Sequence, residues 1–220
     1  MNFITKLFHQ DKRFEFIFDE EGLHSIGGEM PSRFVVPENH FNADFQYLGC
    51  ISKKDKNYAW LPFDLHLICP IYVDFDFVFL DYANPNSPSI IYPCNTDEIL
   101  SPILELHDDS EIIYKAHKMS TSPIKNITEE NHGDLIAVGG QTLIANYIEI
   151  PTCPKSHQEM MFVCQILSSG KIITDKTNVV CEKPEEQELL STMNFCGDGS
   201  LYVFIEPESK TVCYFIHKNN

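Results

Sequence analysis

Positive charge is scarce in this chain of 220 residues: 16 Lys and Arg stand against 32 Asp and Glu, for a formal net charge of −16. Such a chain repels phosphate backbones and anionic lipid, so neither nucleic acid nor a membrane is an expected partner, and a basic protein is. The signatures of common chemistry are missing as well. No Cys-x-x-Cys, His-Glu-x-x-His, Gly-x-Ser-x-Gly or Gly-x-x-x-x-Gly-Lys occurs, so zinc hydrolases, serine hydrolases and phosphate-loop enzymes lack their parts. Long apolar runs are also lacking. The N-terminal "MNFITKLFHQDKRFEF" is broken by Lys6 and His9 and has no small-residue cleavage site, which predicts neither a signal peptide nor a membrane span. A reducing cytoplasm is the expected compartment, where the sequon Asn126-Ile127-Thr128 carries no meaning.

Cysteine is present but unpaired in sequence. The eight cysteines stand singly, several inside apolar runs such as "LICPIY" and "TVCYFI", where a thiol acts as a small buried hydrophobe. No disulfide, metal or cofactor is expected.

What the chain does have is apolar material, 43% hydrophobic and 12% aromatic, enough to bury roughly 70% of the unfolded surface at this length. Its periodicity is mostly that of strands. "RFEFIFD" puts Phe14, Phe16 and Phe18 on one face, and "YVDFDFVFLDY" puts Phe75, Phe77 and Phe79 on one face with Asp74 and Asp76 opposite. Both patterns predict half-buried antiparallel strands. Helix signals are fewer: "TDEILSPILEL" is interrupted by Pro102, whereas "KPEEQELLSTMNF" places Pro184 in a first turn followed by acids. The expected fold class is α+β, predominantly antiparallel β, with few short helices.

Two stretches share a hairpin pattern, apolar runs on either side of turn formers: "FDFVFLDYANPNSPSIIY" at 75 to 92 and "SLYVFIEPESKTVCYFI" at 200 to 216. Upstream echoes accompany them. "GLHSIGGEMP" matches "DLIAVGGQTL" with Gly27-Gly28 against Gly139-Gly140, Ile26 lies 112 residues before Val138, and "FQYLGCIS" lines up with "MFVCQILS". These echoes predict an internal duplication of a β unit within one domain over 1–220. The first half covers 13–104, the connecting segment 105–133 and the second half 134–217, with the two hairpins equivalent.

The motifs "IAVGGQTL", "IPTCPKSHQEMMFVCQI" and "FCGDGSLYVFIEPESKTVCYFI" resemble the YwqG-like family of uncharacterised bacterial domains, clearly over 134–217 and more loosely over 22–92. The resemblance implies a duplicated β-rich fold, no established catalytic activity, and in some relatives an immunity role beside toxin genes. Relatives carry two cysteine pairs with zinc-site spacing; here only Cys153 and His157 stand at the first position, and the hairpin reads "PESK" where cysteines would be needed. A site completed by Cys213 or His217 is therefore disfavoured against a plain Cys and His in a polar loop.

A cysteine nucleophile at Cys196 with His24 or His132 as base is likewise disfavoured against a strand-end thiol beside the turn Gly197-Asp198-Gly199. Carboxylates on a flat strand offer no calcium cage and are usually solvated. Carboxylates among aromatic rings also suit a docking face, which steers a basic surface and anchors it once docked. The candidate partner-binding residues are Asp74, Asp76, Tyr72 and Tyr82 together with Tyr58 and Trp60, the sole tryptophan, which reads as core or as an interface anchor. The expected function is a non-enzymatic acidic binding protein, an immunity-type inhibitor of a basic toxin. The alternative is a small-ligand binder or enzyme with a site where the halves join, near Gly27-Gly28, Gly139-Gly140 and Asp198.

Overall fold

Alternating and β-branched segments fold as strands wherever the structure, a computed structural model, describes them: residues 12–37, 45–70, 77–91, 110–124, 134–141, 149–195 and 197–217. The first half supplies β1 (Phe14–Phe18), β2 (His24–Ile26), β3 (Phe45–Ile51), β4 (Leu65–Pro70), β5 (Val78–Asp81) and β6 (Ser89–Ile90). Then come β7 (Ile112–Tyr114), β8 (His117–Pro123), β9 (Ala137–Gly139), β10 (Met161–Leu167), β11 (Thr174–Thr177), β12 (Ser200–Glu206) and β13 (Thr211–His217). A single short helix is present among the described residues, α1 (Pro184–Leu189), with Pro184 in its first turn and Glu185 and Glu186 at its positive end, as its sequence predicts.

Among the described residues eleven strands form one antiparallel sheet in the order β4-β3-β2-β8-β1-β9-β10-β12-β13-β5-β6, and β7 pairs with β11 in a separate two-stranded sheet. The segment expected to connect the halves is structural: β8 lies between β2 and β1, with Phe14 opposite Pro123 and Phe18 opposite Met119. From the β1/β8 pair outward the order is mirrored, β8-β2-β3-β4 on one side and β1-β9-β10-β12 on the other. β3 and β10 occupy matching places, and each carries a register shift, between Tyr47 and Gly49 and between Phe162 and Cys164.

The hairpins depart from expectation. Residues 200–217 form β12 and β13 inside the sheet, whereas β5 and β6 sit at its end with β5 hydrogen-bonded to β13, so the two hairpins are neighbours rather than equivalents. The Phe row also differs. On β5 it is Val78 and Leu80 that are fully buried in the main core, while Phe77 and Phe79 are half-buried on the opposite face against Tyr202, Phe204 and Phe215. Both faces of this part of the sheet are covered, which breaks the expected apolar-in, polar-out alternation. Phe14 and Phe16 are buried, but Phe18 at the end of β1 is 42% exposed and stacks on His117.

The sheet cannot be flat. From Pro70 to Val78 the chain spans at most about 28 Å, whereas a flat sheet would set β4 and β5 about 43 Å apart across nine strand spacings. The sheet therefore curls until its ends face each other across the core, which mixes Leu65, Leu67 and Ile68 of β4 with Val78 and Leu80 of β5 and Val212 and Tyr214 of β13. Tyr82 joins the two ends. Its hydroxyl donates to the carbonyl of His66 at 2.8 Å and lies 3.0 Å from the hydroxyl of Tyr214, with its ring stacked on Phe63. Replacing Tyr82 with Phe takes one hydrogen bond from the buried His66 carbonyl and one from the Tyr214 hydroxyl, which keeps its backbone bond to Ile68. Urea denaturation is expected to show a loss of about 1–3 kcal/mol.

The glycine pairs sit where β2 and β9 end against the chain leading into β8 and β1. Gly27 has φ +67° and a Cβ there would fall 2.4 Å from the carbonyl oxygen of Lys115; Gly140 has φ +79° and a Cβ would fall 1.8 Å from that of Lys12. Gly140→Ala is expected to destabilise the protein by about 2 kcal/mol or more, measured as a fall in denaturation midpoint with the slope unchanged.

Candidate functional site

The loop between β3 and β4, residues 52 to 64, is organised by a buried histidine. His24 on β2 is 1% exposed; its Nδ1 accepts the backbone N–H of Ser52 at 3.1 Å, which fixes the proton on Nε2, and Nε2 donates to Asp55 Oδ2 at 3.1 Å. Asp55 gathers two further donors. It also accepts the N–H of Asn57 at 2.7 Å and the hydroxyl of Thr121 on β8 at 2.8 Å, and Asp64 ties the other end of the loop through the Ser52 hydroxyl and the Lys53 N–H.

Burial pulls the proton affinity of His24 below its ordinary value of 6.5, against the opposing bond and charge of Asp55. Burial alone would raise Asp55, but the N–H of Asn57 and the donors Thr121 and His24 outweigh it and hold the carboxyl below its ordinary range. Two further histidines are lowered, His66 by burial and Arg33, and His117 by burial and Lys115.

The loop so held delivers Tyr58 and Trp60 beside β1 and β10. Tyr58 is 1% exposed, packs edge-on to Phe14 and His24, and donates its hydroxyl to the carbonyl of Val163, the residue at the β10 register shift, at 2.9 Å. Trp60 is half-buried and donates Nε1 to the carbonyl of Asn57 at 2.9 Å. Around them lies a shallow open depression with a cavity volume of about 20 Å³. Phe14, Tyr58, Met161 and Val163 lie deepest, and Asn57, Trp60, Gly140 and Phe162 complete the lining. Drug-sized sites enclose most of their ligand in ~300–1,000 Å³. This depression is far smaller, with room for about one water molecule.

Of the residues expected to form a partner face, Tyr82 is corrected: it is fully buried with its hydroxyl committed and serves as a strut between layers, while Tyr58, also buried with a committed hydroxyl, lies in the wall of the depression. Of the described candidates, Trp60 and the buried Tyr58 line the surface depression. Asp74, Asp76 and Tyr72 lie outside the described residues, as do Phe75, Cys196, His132 and the expected helix at 96–106. The alternative site near the Gly pairs receives the depression beside Gly140, while Asp198 is exposed on the turn before β12. Sequence reasoning missed Asn57, Met161 and Phe162. Phe162 was legible only as a strand residue of unknown outward face.

Cys153 is buried beneath the β12–β13 turn. Its sulfur accepts the N–H of Ser156 at 3.5 Å and lies 3.4 Å from the Ser209 hydroxyl; burial opposes ionisation, but these donors and Thr211 outweigh it and lower the thiol. His157 donates its backbone N–H to the Cys153 carbonyl. Among the described residues no cluster of three or more metal-ligating side chains occurs. Cys50 is pushed up to about 12 by burial, and Cys164 is raised as well, which suits thiols that pack rather than react.

No helix among the described residues is long and apolar enough to cross a membrane. No protein-family model, curated protein or solved structure matches this chain.

The histidine clamp has a pH signature. Because His24 binds its proton more weakly folded than unfolded, stability is full above about pH 6.5 and falls as pH drops below it. His66 and His117 add to the same loss, and Asp55 adds more only as pH approaches the ordinary carboxylate range. Denaturation midpoints are expected to decline from pH 7 to pH 5, and less steeply in His24→Gln.

Proposed function

We propose that this chain is a non-enzymatic binding protein that covers a basic partner, with the 52–64 loop and the depression at Trp60 as the centre of contact. One observation carries this reading: the sole tryptophan is held by a buried polar network at the rim of a surface depression, on a chain of net charge −16. Interface anchors are most often Trp, Tyr or Arg set in a pocket, and a strongly acidic surface steers basic surfaces toward it. The resemblance to YwqG-like domains supplies the partner class, a cognate basic toxin inhibited in the cytoplasm in the manner of an immunity protein.

The mirrored strand order supports duplication in an exchanged form. β1-β2-β3-β4 corresponds to β8-β9-β10-β12, and the first strand of each copy is inserted beside the second strand of the other. The matching register shifts and Gly pairs support the same pairing. On this reading the depression beside Gly140 lies at an exchange point between copies, which also favours the second reading, a small-ligand site at the junction.

A display library of random peptides tests the first reading. Enrichment of Lys- and Arg-rich sequences is expected, with affinity falling roughly tenfold from low to high salt and falling again in Trp60→Ala. Enrichment without regard to charge would overturn it.

A further inference from the structure

The 52–64 loop hangs on a nitrogen that has no room for a proton. His24 is 1% exposed, and its bare Nδ1 faces the backbone N–H of Ser52 at 3.1 Å while Nε2 donates to Asp55. A histidinium carries a proton on both ring nitrogens, so in the closed loop its Nδ1–H would point at another donor. Phe16 of β1 and Tyr58 of the loop pack edge-on against the ring, with centres 5.1 and 5.3 Å away, and hold it in that orientation. The charges that bear on His24 are two carboxylates of the loop itself, Asp55 and Asp64, and β8 reaches it through the Thr121 hydroxyl on Asp55. The pull of those carboxylates for a proton is outweighed by the burial of the ring.

What one proton dislodges is a unit. Ser52 ties the loop to β2, Asp55 and Asn57 tie it to Thr121 of β8, and the Tyr58 hydroxyl ties it to the Val163 carbonyl of β10. The ties are joined within the loop: Asp55 accepts the N–H of Asn57, and Asp64 accepts the Ser52 hydroxyl and the N–H of Lys53. Segments bonded internally in this way open as cooperative pieces. We propose that 52–64 is a proton-operated latch, closed on the bare Nδ1 of His24 and released from β2, β8 and β10 as one piece when that nitrogen takes up a proton, with the strands left paired. The latch goes beyond the reading of the chain as a binder and does not depend on it. Where the loop is also the centre of contact, acid withdraws that face from its partner.

The size of the effect is bounded. If the ring titrates only in the open form, with an ordinary affinity of about 6.5, the open population rises up to about thirtyfold from pH 7.5 to pH 5.0. Hydrogen–deuterium exchange of the full chain at these two pH values, with labelling times scaled to the pH dependence of intrinsic exchange, reads that ratio. Amides of 52–64 are expected to lose protection up to about thirtyfold, while those of β10 and β12 keep a larger opening free energy at both pH values. Ring nitrogen chemical shifts are expected to show His24 neutral, with a bare Nδ1, in the closed chain throughout. His24→Gln, whose amide accepts and donates but gains no proton, is expected to give loop protection that does not change with pH. Equal loop protection at both pH values in the natural chain overturns the inference, and so does loss of protection by loop and strands with one common opening free energy. A His24 that is protonated while the loop stays protected overturns it without any substitution. None of these results bears on the binding reading, which the peptide display decides separately.

Discussion

The closure of the sheet is set by a short connection between its two ends, and one hydroxyl bridges them across the shared core. Strands β4 and β5 are far apart in hydrogen-bonding order and close in sequence, so the chain can satisfy both only by curling, and Tyr82 bonds the two layers at the His66 carbonyl. The geometry solves a second problem at the same time. Among the described residues β4 pairs only with β3, and an edge strand presents unpaired backbone groups that invite other chains. Burying all six of its residues and capping the His66 carbonyl from the far layer removes part of that edge from reach.

Tyr58 repeats the device on the other side of the core. A register shift in β10 turns the Val163 carbonyl out of the ladder, and the Tyr58 hydroxyl takes it up from a loop belonging to the first half. That loop has its own support, the chain from Ser52 through His24 and Asp55 to Thr121, in which each group has a single assigned role. Such fully satisfied networks hold a unique arrangement, because every alternative leaves a buried polar group unpaired. Trp60 inherits its position from this order and needs none of its own.

Much of the fold was legible because strands announce themselves by period. The turn at 207–210, the helix start at Pro184 and the strands at 45–51 and 161–167 follow from local chemistry that tertiary context left intact. The failures share a cause. Phe77 and Phe79 look like a core row until a second cluster covers the other face, and nothing in one strand announces what lies on both of its sides. The length of 105–133 and its polar composition read as a linker, yet Met119 faces the core while β8 pairs with β2 on one side and β1 on the other. Tyr58 and Tyr82 were legible as important and illegible as buried, since a tyrosine with a hydroxyl partner is as suited to an interior as to an interface. The site escaped for a related reason: Asn57 acquires meaning only from Thr121, sixty-four residues away in sequence.

The central pair of the sheet joins residues that are made far apart in time. Phe14 is opposite Pro123, and Glu15 is also opposite Val138, so β1 has no lawful neighbour until more than a hundred residues have followed it. At ~5–20 residues per second, a ribosome exposes that strand for roughly 5 to 20 seconds before β8 emerges. During that interval Phe14, Phe16 and Phe18 alternate along an open edge, the kind of segment that nascent chains pair wrongly. The charges that flank it, Lys12, Arg13, Asp19, Glu20 and Glu21, then act as guards on a strand that must wait.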